Sequence, residues 1–166
     1  MGKKIKVGIS IGDLNGIGLE IIIKTFKDNR MMDFCTPIIF GSSQVASIHR
    51  KTLNMQDFSF NTINNFKNIN HKKANLLNIW EKNIDITLGK PSAESGQYSL
   101  DSIKKAADAL KNKEIDVLVT APINKASIQE KVTSFIGHTE FFEKNFEGNA
   151  LMIMISEVMK IAFVTG

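Results

Sequence analysis

Apolar residues in this chain occur in short continuous runs that alternate with stretches of helical periodicity. The runs at residues 5–11 and 36–41 have the length and the β-branched or aromatic content of buried strands. A glycine-rich turn follows the first run and leads into a helical pattern from Leu19, and Ser42 or Ser43 can cap a helix after the second run. This strand–helix–strand–helix start predicts a parallel sheet.

The middle of the chain has a less regular pattern. Residues 54–83 are rich in asparagine and lysine, with apolar residues at uneven spacing. Residues 58–60 and 84–86 alternate between apolar and polar, as short strands do. A helix is then predicted to begin at Ser99 or Ser102, because apolar residues recur from there at helical spacing.

Residues 115–120 form the clearest strand in the pattern, with apolar side chains on both faces. Such a strand is expected inside a parallel sheet that is covered on both sides. It ends at Pro122, which cannot donate to the ladder, and a helix to about Lys131 is predicted to open at Asn124. Thr139 is predicted to cap a further helix. Two strand-like runs follow, at residues 151–156 and 160–165.

The composition is that of a folded protein, with 43% hydrophobic and 23% charged residues in a chain of 166. A chain of this length suffices for one domain, or for one domain and part of another. The net charge is +4, but the lysines are spread along the chain, which argues against a nucleic-acid groove. The single cysteine, Cys35, fits a reducing cytoplasm, and no apolar run approaches the roughly 20 residues that cross a bilayer. We therefore predict a cytoplasmic protein without a nucleic-acid or membrane partner.

The glycine-rich turn at residues 12–18 is the first segment that could carry chemistry. Its backbone N–H groups could bind an anion at a helix N-terminus, or its glycines could only allow a tight turn and close helix packing. The turn lacks the G-x-G-x-x-G spacing of dinucleotide-binding turns and the Lys-Ser or Lys-Thr of a Walker loop. The spacing alone leaves both interpretations open.

Two later segments offer polar side chains. Residues 120–125 would lie at the carboxyl edge of the sheet, where open α/β sheets bind ligands. Lys125 could contact a phosphate or carboxylate as a point charge, or could be a solvated helix lysine. His138 follows a glycine and precedes Thr139 and Glu140, so its imidazole could donate to an anion or transfer a proton near neutral pH.

The other two histidines, His49 and His71, lie in polar stretches that contain lysine and are predicted to be at the surface. The three histidines are far apart in the sequence and form no metal-binding spacing such as H-E-x-x-H. No complete metal site is therefore predicted within this chain.

Four segments, in sequence order, carry a resemblance to a known family. They are Gly12-Asp13-x-x-Gly16-Ile17-Gly18-x-Glu20, Ser95-Gly96 with Ser99-Leu100, Thr120-Ala121-Pro122-Ile123-Asn124-Lys125 and Gly137-His138-Thr139-Glu140-Phe141. Together they resemble the 4-hydroxythreonine-4-phosphate dehydrogenase family of pyridoxal phosphate biosynthesis, over nearly the whole chain. Leu14 and Leu19 stand where that family usually has proline, so the first turn is expected to be less rigid.

The resemblance implies a three-layer α/β/α fold with a mostly parallel sheet, like isocitrate and isopropylmalate dehydrogenases, and a homodimer. It implies NAD-dependent oxidation of 4-phosphooxy-threonine (4-hydroxythreonine 4-phosphate) to 2-amino-3-oxo-4-phosphooxybutanoate. That product decarboxylates to 3-amino-2-oxopropyl phosphate, in pyridoxine 5'-phosphate biosynthesis. A divalent metal (Zn, Mg or Co) would polarise the hydroxyl that is oxidised. His138 and Thr139 would bind the substrate, and Asp13, Asn124 and Lys125 are further candidates.

The resemblance also bears on the organisation of the chain, because members of that family are considerably longer. Residues 1–125 are expected to belong to a first domain and residues 126–166 to begin a second. The first metal ligand is expected just after Gly166, so the 166 residues alone are expected to be inactive. Two alternatives stay open: a related decarboxylating dehydrogenase of another hydroxy acid, and a non-catalytic domain that binds a phosphorylated metabolite.

Overall fold

Five parallel strands form the central sheet of the structure, a computed structural model that describes residues 4–164. The order across the sheet is β3-β4-β2-β1-β5, and every neighbouring pair is parallel, as the sequence predicts. The strands are β1 (Ile5–Ser10), β2 (Cys35–Gly41), β3 (Asn61–Ile63), β4 (Asn75–Asn78) and β5 (Val117–Thr120). The helices are α1 (Gly18–Phe26), α2 (Met31–Phe34), α3 (Ser43–Thr52), α4 (Ala93–Lys111), α5 (Lys125–Gln129) and α6 (His138–Asn145), with a 3-10 turn at Phe66–Asn68.

Helices cover both faces of this sheet, because successive side chains of a strand point to opposite faces. On one face, Ile9 and Ile39 pack in a buried cluster with the apolar sides of α1 and α3. On the other face, Ile38 and Phe40 pack in a second cluster with Ala106 of α4. The result is an α/β fold with three layers, in agreement with the predicted fold class.

Helix α4 begins earlier than the predicted start at Ser99 or Ser102. Ser92 is its N-cap, and the Ser92 Oγ accepts a hydrogen bond of 3.1 Å from the Ser95 N–H. A serine in this position satisfies one of the free N–H groups of the first helical turn. Gly96 therefore lies inside the helix, before the predicted start at Ser99 or Ser102.

The short strands in the middle of the chain are also displaced from the predicted positions. Residues 58–60 and 84–86 are not strands; β3 and β4 supply the pairing. Asn75 explains part of this shift, because its buried side chain donates to the Pro37 carbonyl and accepts from the Asn70 N–H. Asparagine side chains thus hold the loop between β3 and β4 through local hydrogen bonds.

The prediction that the strand at residues 115–120 is covered on both faces is wrong for β5 within residues 4–164. Strand β5 lies at one edge of the described sheet, and Val117 and Val119 are 42% and 49% exposed. The apolar pattern of residues 115–120 therefore does not reflect coverage on both faces within residues 4–164.

The last described segment is an antiparallel hairpin of β6 (Met152–Ile155) and β7 (Lys160–Phe163), in which every strand residue is exposed. It matches the two predicted strand-like runs, except that Thr165 lies outside the described residues. The boundary expected near residue 125 stays a prediction. No helix within residues 4–164 combines the length and the apolar character that a bilayer crossing requires.

Candidate functional site at the carboxyl edge of the sheet

The carboxyl ends of β1 and β5 bring two of the sequence motifs into contact, since neighbouring parallel strands end at the same edge. The N–H of Asp13 donates to the Pro122 carbonyl at 2.9 Å. Gly12 has a φ of +72°, and a Cβ there would overlap with the Pro122 carbonyl oxygen. Only glycine adopts this conformation at low cost. At Gly12 the structure thus favours a tight, closely packed turn over an open anion cradle.

Asp13 and Asn15 organise this turn. The Asp13 Oδ1 accepts from the Asn15 N–H at 3.0 Å, so the carboxylate is engaged in the turn itself. Asn15 is buried; its Oδ1 accepts from the Thr87 N–H at 3.0 Å and its Nδ2 donates to the Lys90 carbonyl at 2.8 Å. Asn15 therefore fixes the loop before α4 to the turn after β1. Sequence reasoning missed this role, although an asparagine inside a glycine-rich turn is a recognisable signal.

Asn124 caps helix α5, as the sequence predicts. Its Oδ1 accepts from the Ser127 N–H at 3.1 Å, and the helix begins at the next residue, Lys125. The amide oxygen of Asn124 is occupied by this cap, which leaves its NH₂ group as the part that could contact a ligand. Lys125 is exposed, and it forms no ion pair with any carboxylate in residues 4–164.

Helix α6 begins at His138, and Gly137 is its N-cap residue. The prediction that Thr139 caps this helix is wrong, because Thr139 is already the second helical residue. The Gly137 carbonyl accepts from the Phe141 N–H at 3.1 Å, but no side chain caps the helix. The first N–H groups of α6 therefore have no partner within the helix, and they carry the positive end of its dipole.

His138 is half-buried at this helix end. Its Nε2 is shielded from solvent and has no hydrogen-bond partner among residues 4–164. The imidazole stacks on Phe142, with ring centroids 6.3 Å apart and an interplanar angle of 12°. Burial, and after it the positive charge of Lys125, lower the pKa of His138. The ring is therefore neutral at pH 7, and the shielded nitrogen can donate or accept one hydrogen bond.

The side chains of Lys125 and Glu140 both lie close to Gly137. A Cβ built on Gly137 would lie 3.4 Å from the Lys125 Nζ and 2.9 Å from the Glu140 Oε2. The two side chains nevertheless form no ion pair in the described part of the chain. The ammonium group therefore stands beside the N-terminus of α6 without a fixed carboxylate partner.

The structure places segment 120–125 in contact with the glycine-rich turn through Pro122 and close to the start of α6 through Lys125. Lys125, His138 and the exposed Thr139 all lie at the N-terminus of α6, where the helix dipole and the Lys125 charge would favour an anion. Asp13 belongs to the neighbouring turn and Asn124 to the α5 cap.

The prediction that His49 lies at the surface is wrong. His49 is 3% exposed, and its Nε2 donates to the Leu14 carbonyl at 2.8 Å, so it connects α3 to the turn after β1. Burial lowers the pKa of His49, against smaller opposing effects of the Leu14 hydrogen bond, Glu20 and Asp13. His71, in contrast, is exposed as predicted, and its Nδ1 lies 2.9 Å from the Thr36 Oγ1.

Acidification is expected to destabilise the chain through His49. Because the pKa in the folded state is lower than the ordinary value of 6.5, the unfolded state takes up the proton first as the pH falls below about 6.5. The contribution of neutral His49 is fully present above that pH and is lost as the pH decreases towards the folded-state pKa. Urea unfolding at pH 7.5 and 5.5 measures how much free energy of unfolding is lost on acidification. This loss should be smaller in His49→Gln than in the original chain, because glutamine keeps a hydrogen-bond donor but does not titrate. An equal loss in both proteins would contradict this role of His49.

Within residues 4–164, no group of three or more His, Cys, Asp and Glu side chains could hold a metal ion. The turn after β1 is packed against Pro122 and lacks the dinucleotide spacing. Residues 4–164 therefore provide no cluster of metal ligands, and the turn after β1 does not have the form of a dinucleotide-binding turn.

Fold and site together define an α/β protein with an uncapped helix N-terminus, beside Lys125, at the carboxyl edge of its parallel sheet. The profile of the pyridoxal phosphate biosynthetic protein PdxA family matches residues 33–166. The chain belongs to this family.

Individual relatives agree with this assignment. The chain is 40% identical, over 164 residues, to a 4-hydroxythreonine-4-phosphate dehydrogenase of Bacteroides thetaiotaomicron, which covers 98% of this chain and 45% of the relative. It is 34% identical, over 155 residues, to the protein of that name from Helicobacter pylori strain G27, covering 93% of this chain and 47% of the relative. The chain thus spans about half the length of the curated relatives it matches.

Solved structures agree in fold. A 4-hydroxythreonine-4-phosphate dehydrogenase from Burkholderia phymatum superposes with a TM-score of 0.88 at 20% identity, over 99% of this chain and 50% of that chain. A protein described as a putative 4-hydroxythreonine-4-phosphate dehydrogenase from Salmonella typhimurium superposes with a TM-score of 0.82, also at 20% identity, over 95% of this chain and 50% of that chain. At this identity the likeness concerns the fold alone.

Proposed function

We propose that the protein of which these residues form the substrate-binding part is a 4-hydroxythreonine-4-phosphate dehydrogenase. It oxidises 4-phosphooxy-threonine to 2-amino-3-oxo-4-phosphooxybutanoate, which then decarboxylates to 3-amino-2-oxopropyl phosphate. Membership of the PdxA family and the names of the relatives support this activity. The observation that carries the site is the shielded Nε2 of His138, which has no partner in residues 4–164 and lies at an uncapped helix N-terminus.

In this proposal, the N-terminus of α6 binds an anionic group of the substrate, either its phosphate or its carboxylate. His138 supplies one hydrogen bond through Nε2, and the exposed Thr139 supplies a hydroxyl. Lys125 adds a positive charge beside the same helix end. Glu140 lies close to the site as well, and its carboxylate would have to move aside when an anion enters.

Asn124 and Asp13 have supporting roles. Asn124 fixes the start of α5 and thereby the position of Lys125. Asp13 shapes the turn that contacts Pro122, two residues before Asn124. Both residues therefore position the site and do not form its main contacts with the anion.

We further propose that NAD accepts the hydride and that a divalent metal (Zn, Mg or Co) takes part in the complete enzyme. The word dehydrogenase in the names of the relatives supports a nicotinamide cofactor. The metal, the homodimer, the cytoplasmic location and the start of a second domain near residue 126 rest on the family resemblance. Neither cofactor is assigned to residues of this chain.

Titration calorimetry of the 166-residue chain with 4-phosphooxy-threonine tests the binding role. We expect saturable binding that weakens about threefold to tenfold in Lys125→Met, because one exposed charge beside the ligand is removed. Lys105→Met is the matched control: Lys105 is an exposed lysine of α4 without an ion pair in residues 4–164, and its loss should leave the affinity unchanged.

The ligand series separates the open alternatives. Unphosphorylated 4-hydroxythreonine reports whether the phosphate or the carboxylate carries the affinity. Equal affinity for unrelated phosphorylated metabolites would favour a general phosphometabolite-binding domain, and preference for another hydroxy acid would favour a related decarboxylating dehydrogenase. Absence of saturable binding by the unmodified chain would contradict the proposed site.

A further inference from the structure

The two arginines of the chain have different surroundings. Arg30 is exposed and pairs with Asp28, with its Nε 2.9 Å from the Asp28 Oδ2 and its Nη2 at 2.5 Å from the same oxygen. Arg50 is half-buried on α3, and its Nε is shielded from solvent without an acceptor among residues 4–164. It also forms no ion pair in that part of the chain. A shielded guanidinium donor thus lacks a partner.

Arg50 lines a slot between α3 and the strands β3 and β4. Ser43, Ser47 and Arg50 share one face of α3, and Thr62 of β3 lies opposite them. Apolar side chains and Ala46 complete the lining, which includes no carboxylate. The slot has a volume of about 60 Å³. A single water needs roughly 10–15 Å³ on this scale, so the slot can hold a small polyatomic ion.

The residues that line the slot favour a negatively charged ligand. The guanidinium of Arg50 carries a positive charge, and its planar shape matches two oxygens of a phosphate or carboxylate. Serine and threonine hydroxyls can donate to the same oxygens. Interaction with the C-terminal dipole of α3 explains why a cation lies in the last turn, but it does not provide an acceptor for the Arg50 Nε.

We propose that this slot, which we name the Arg50 slot, binds a small oxyanion of the phosphate class. The guanidinium of Arg50 is its cationic partner, and the hydroxyls of Ser47 and Thr62 contribute hydrogen bonds. The slot is separate from the site at α6: it lies against β3 and β4, whereas that site follows β5 at the opposite edge of the sheet. Five strands spaced about 4.8 Å apart place the two sites roughly 20 Å from each other.

The side-chain Nε–Hε signals of the arginines provide a direct test by two-dimensional ¹H–¹⁵N NMR, because the chain contains only two arginines. Sodium phosphate is titrated into the 166-residue chain at constant ionic strength against sodium chloride. We expect a saturable shift of the Arg50 signal, while the Arg30 signal stays in place. The variant Arg30→Lys removes one of the two signals and thereby assigns both.

Two variants give the test its specificity. In Arg50→Lys, which keeps the charge but loses the fork, phosphate affinity measured from the Thr62 amide signal should decrease at least tenfold, with the remaining backbone spectrum as the control for folding. In His138→Ala, the Arg50 response should be unchanged, so failure of this proposal is distinguishable from failure of the proposed function. An Arg50 signal that does not respond, or that responds equally to chloride, would overturn the proposal.

The same titration identifies the source of the phosphate group. Inorganic phosphate and 4-phosphooxy-threonine are compared in the His138→Ala background, where the α6 site is weakened. Binding of the ester at least tenfold more tightly assigns the slot to a phosphorylated metabolite. Equal or weaker binding of the ester assigns it to free phosphate.

Discussion

Replacing His138 by alanine should weaken binding of 4-phosphooxy-threonine by roughly 30- to 150-fold. The imidazole Nε2 is shielded from solvent and has no protein partner in residues 4–164, so its hydrogen-bonding capacity is available for a ligand. A hydrogen bond to a charged group contributes about 2–3 kcal/mol, which corresponds to this range of dissociation constants. Calorimetric titration of both proteins at pH 7.5 measures the difference.

The control for this prediction is His71→Ala. His71 is exposed and contacts Thr36 on the amino-terminal side of β2, so its loss should change the affinity less than twofold. Because His138 also packs on Phe142, His138→Ala must first be shown to unfold at a urea concentration close to that of the original chain. A folded His138→Ala protein that binds the substrate as tightly as the original chain would contradict the role of His138.

Replacing Gly96 by alanine should cost about 3 kcal/mol of the free energy of unfolding. Helix α5 crosses α4 at this glycine so closely that a Cβ would overlap with the Ser127 carbonyl group and lie 2.6 Å from the Ile128 nitrogen. These are backbone atoms, which cannot rotate away, so the two helices must separate. Urea unfolding followed by circular dichroism measures the change.

The same substitution should also weaken ligand binding, because α5 begins with Lys125 and moves as a unit. Gly16→Ala is the comparison. The three atoms nearest to a Cβ at Gly16 all belong to Asp13, the closest at 3.2 Å, so the expected cost is about 1 kcal/mol or less. Equal stability losses in the two variants would show that the α4–α5 contact is not as close as the structure indicates.

The sequence predicts those features that depend on local pattern and on strand polarity. Apolar runs at residues 5–11 and 36–41 with helical segments between them are enough to predict a parallel sheet. Once the strands are parallel, the segments after β1 and β5 must share one edge, and the contact between Asp13 and Pro122 follows from that. The cap at Asn124 is predictable because it is a local feature: the hydrogen bond joins residues three positions apart.

The remaining features depend on contacts between distant residues. His49 lies in a polar stretch of the sequence. Its ring can be buried because the Leu14 carbonyl, 35 positions away, accepts a hydrogen bond from its Nε2. The exposure of Val117 follows from the position of β5 at the sheet edge, which no local pattern specifies. At α6, Gly137 takes the cap position in place of Thr139, so threonine is left exposed for another contact.

The proposed function requires that the N-terminus of α6 bind the anionic group of 4-phosphooxy-threonine. Titration of the ¹⁵N-labelled 166-residue chain, followed through the backbone amide signals of His138, Thr139 and Glu140, tests it most directly. We predict that these three signals shift together and saturate with the dissociation constant measured by calorimetry. In Lys125→Met, the same signals should reach the same final positions, but with weaker affinity. Shifts confined to the turn at residues 12–18 or to the Arg50 slot, with the three α6 amide signals unchanged, would show that the N-terminus of α6 does not bind the substrate.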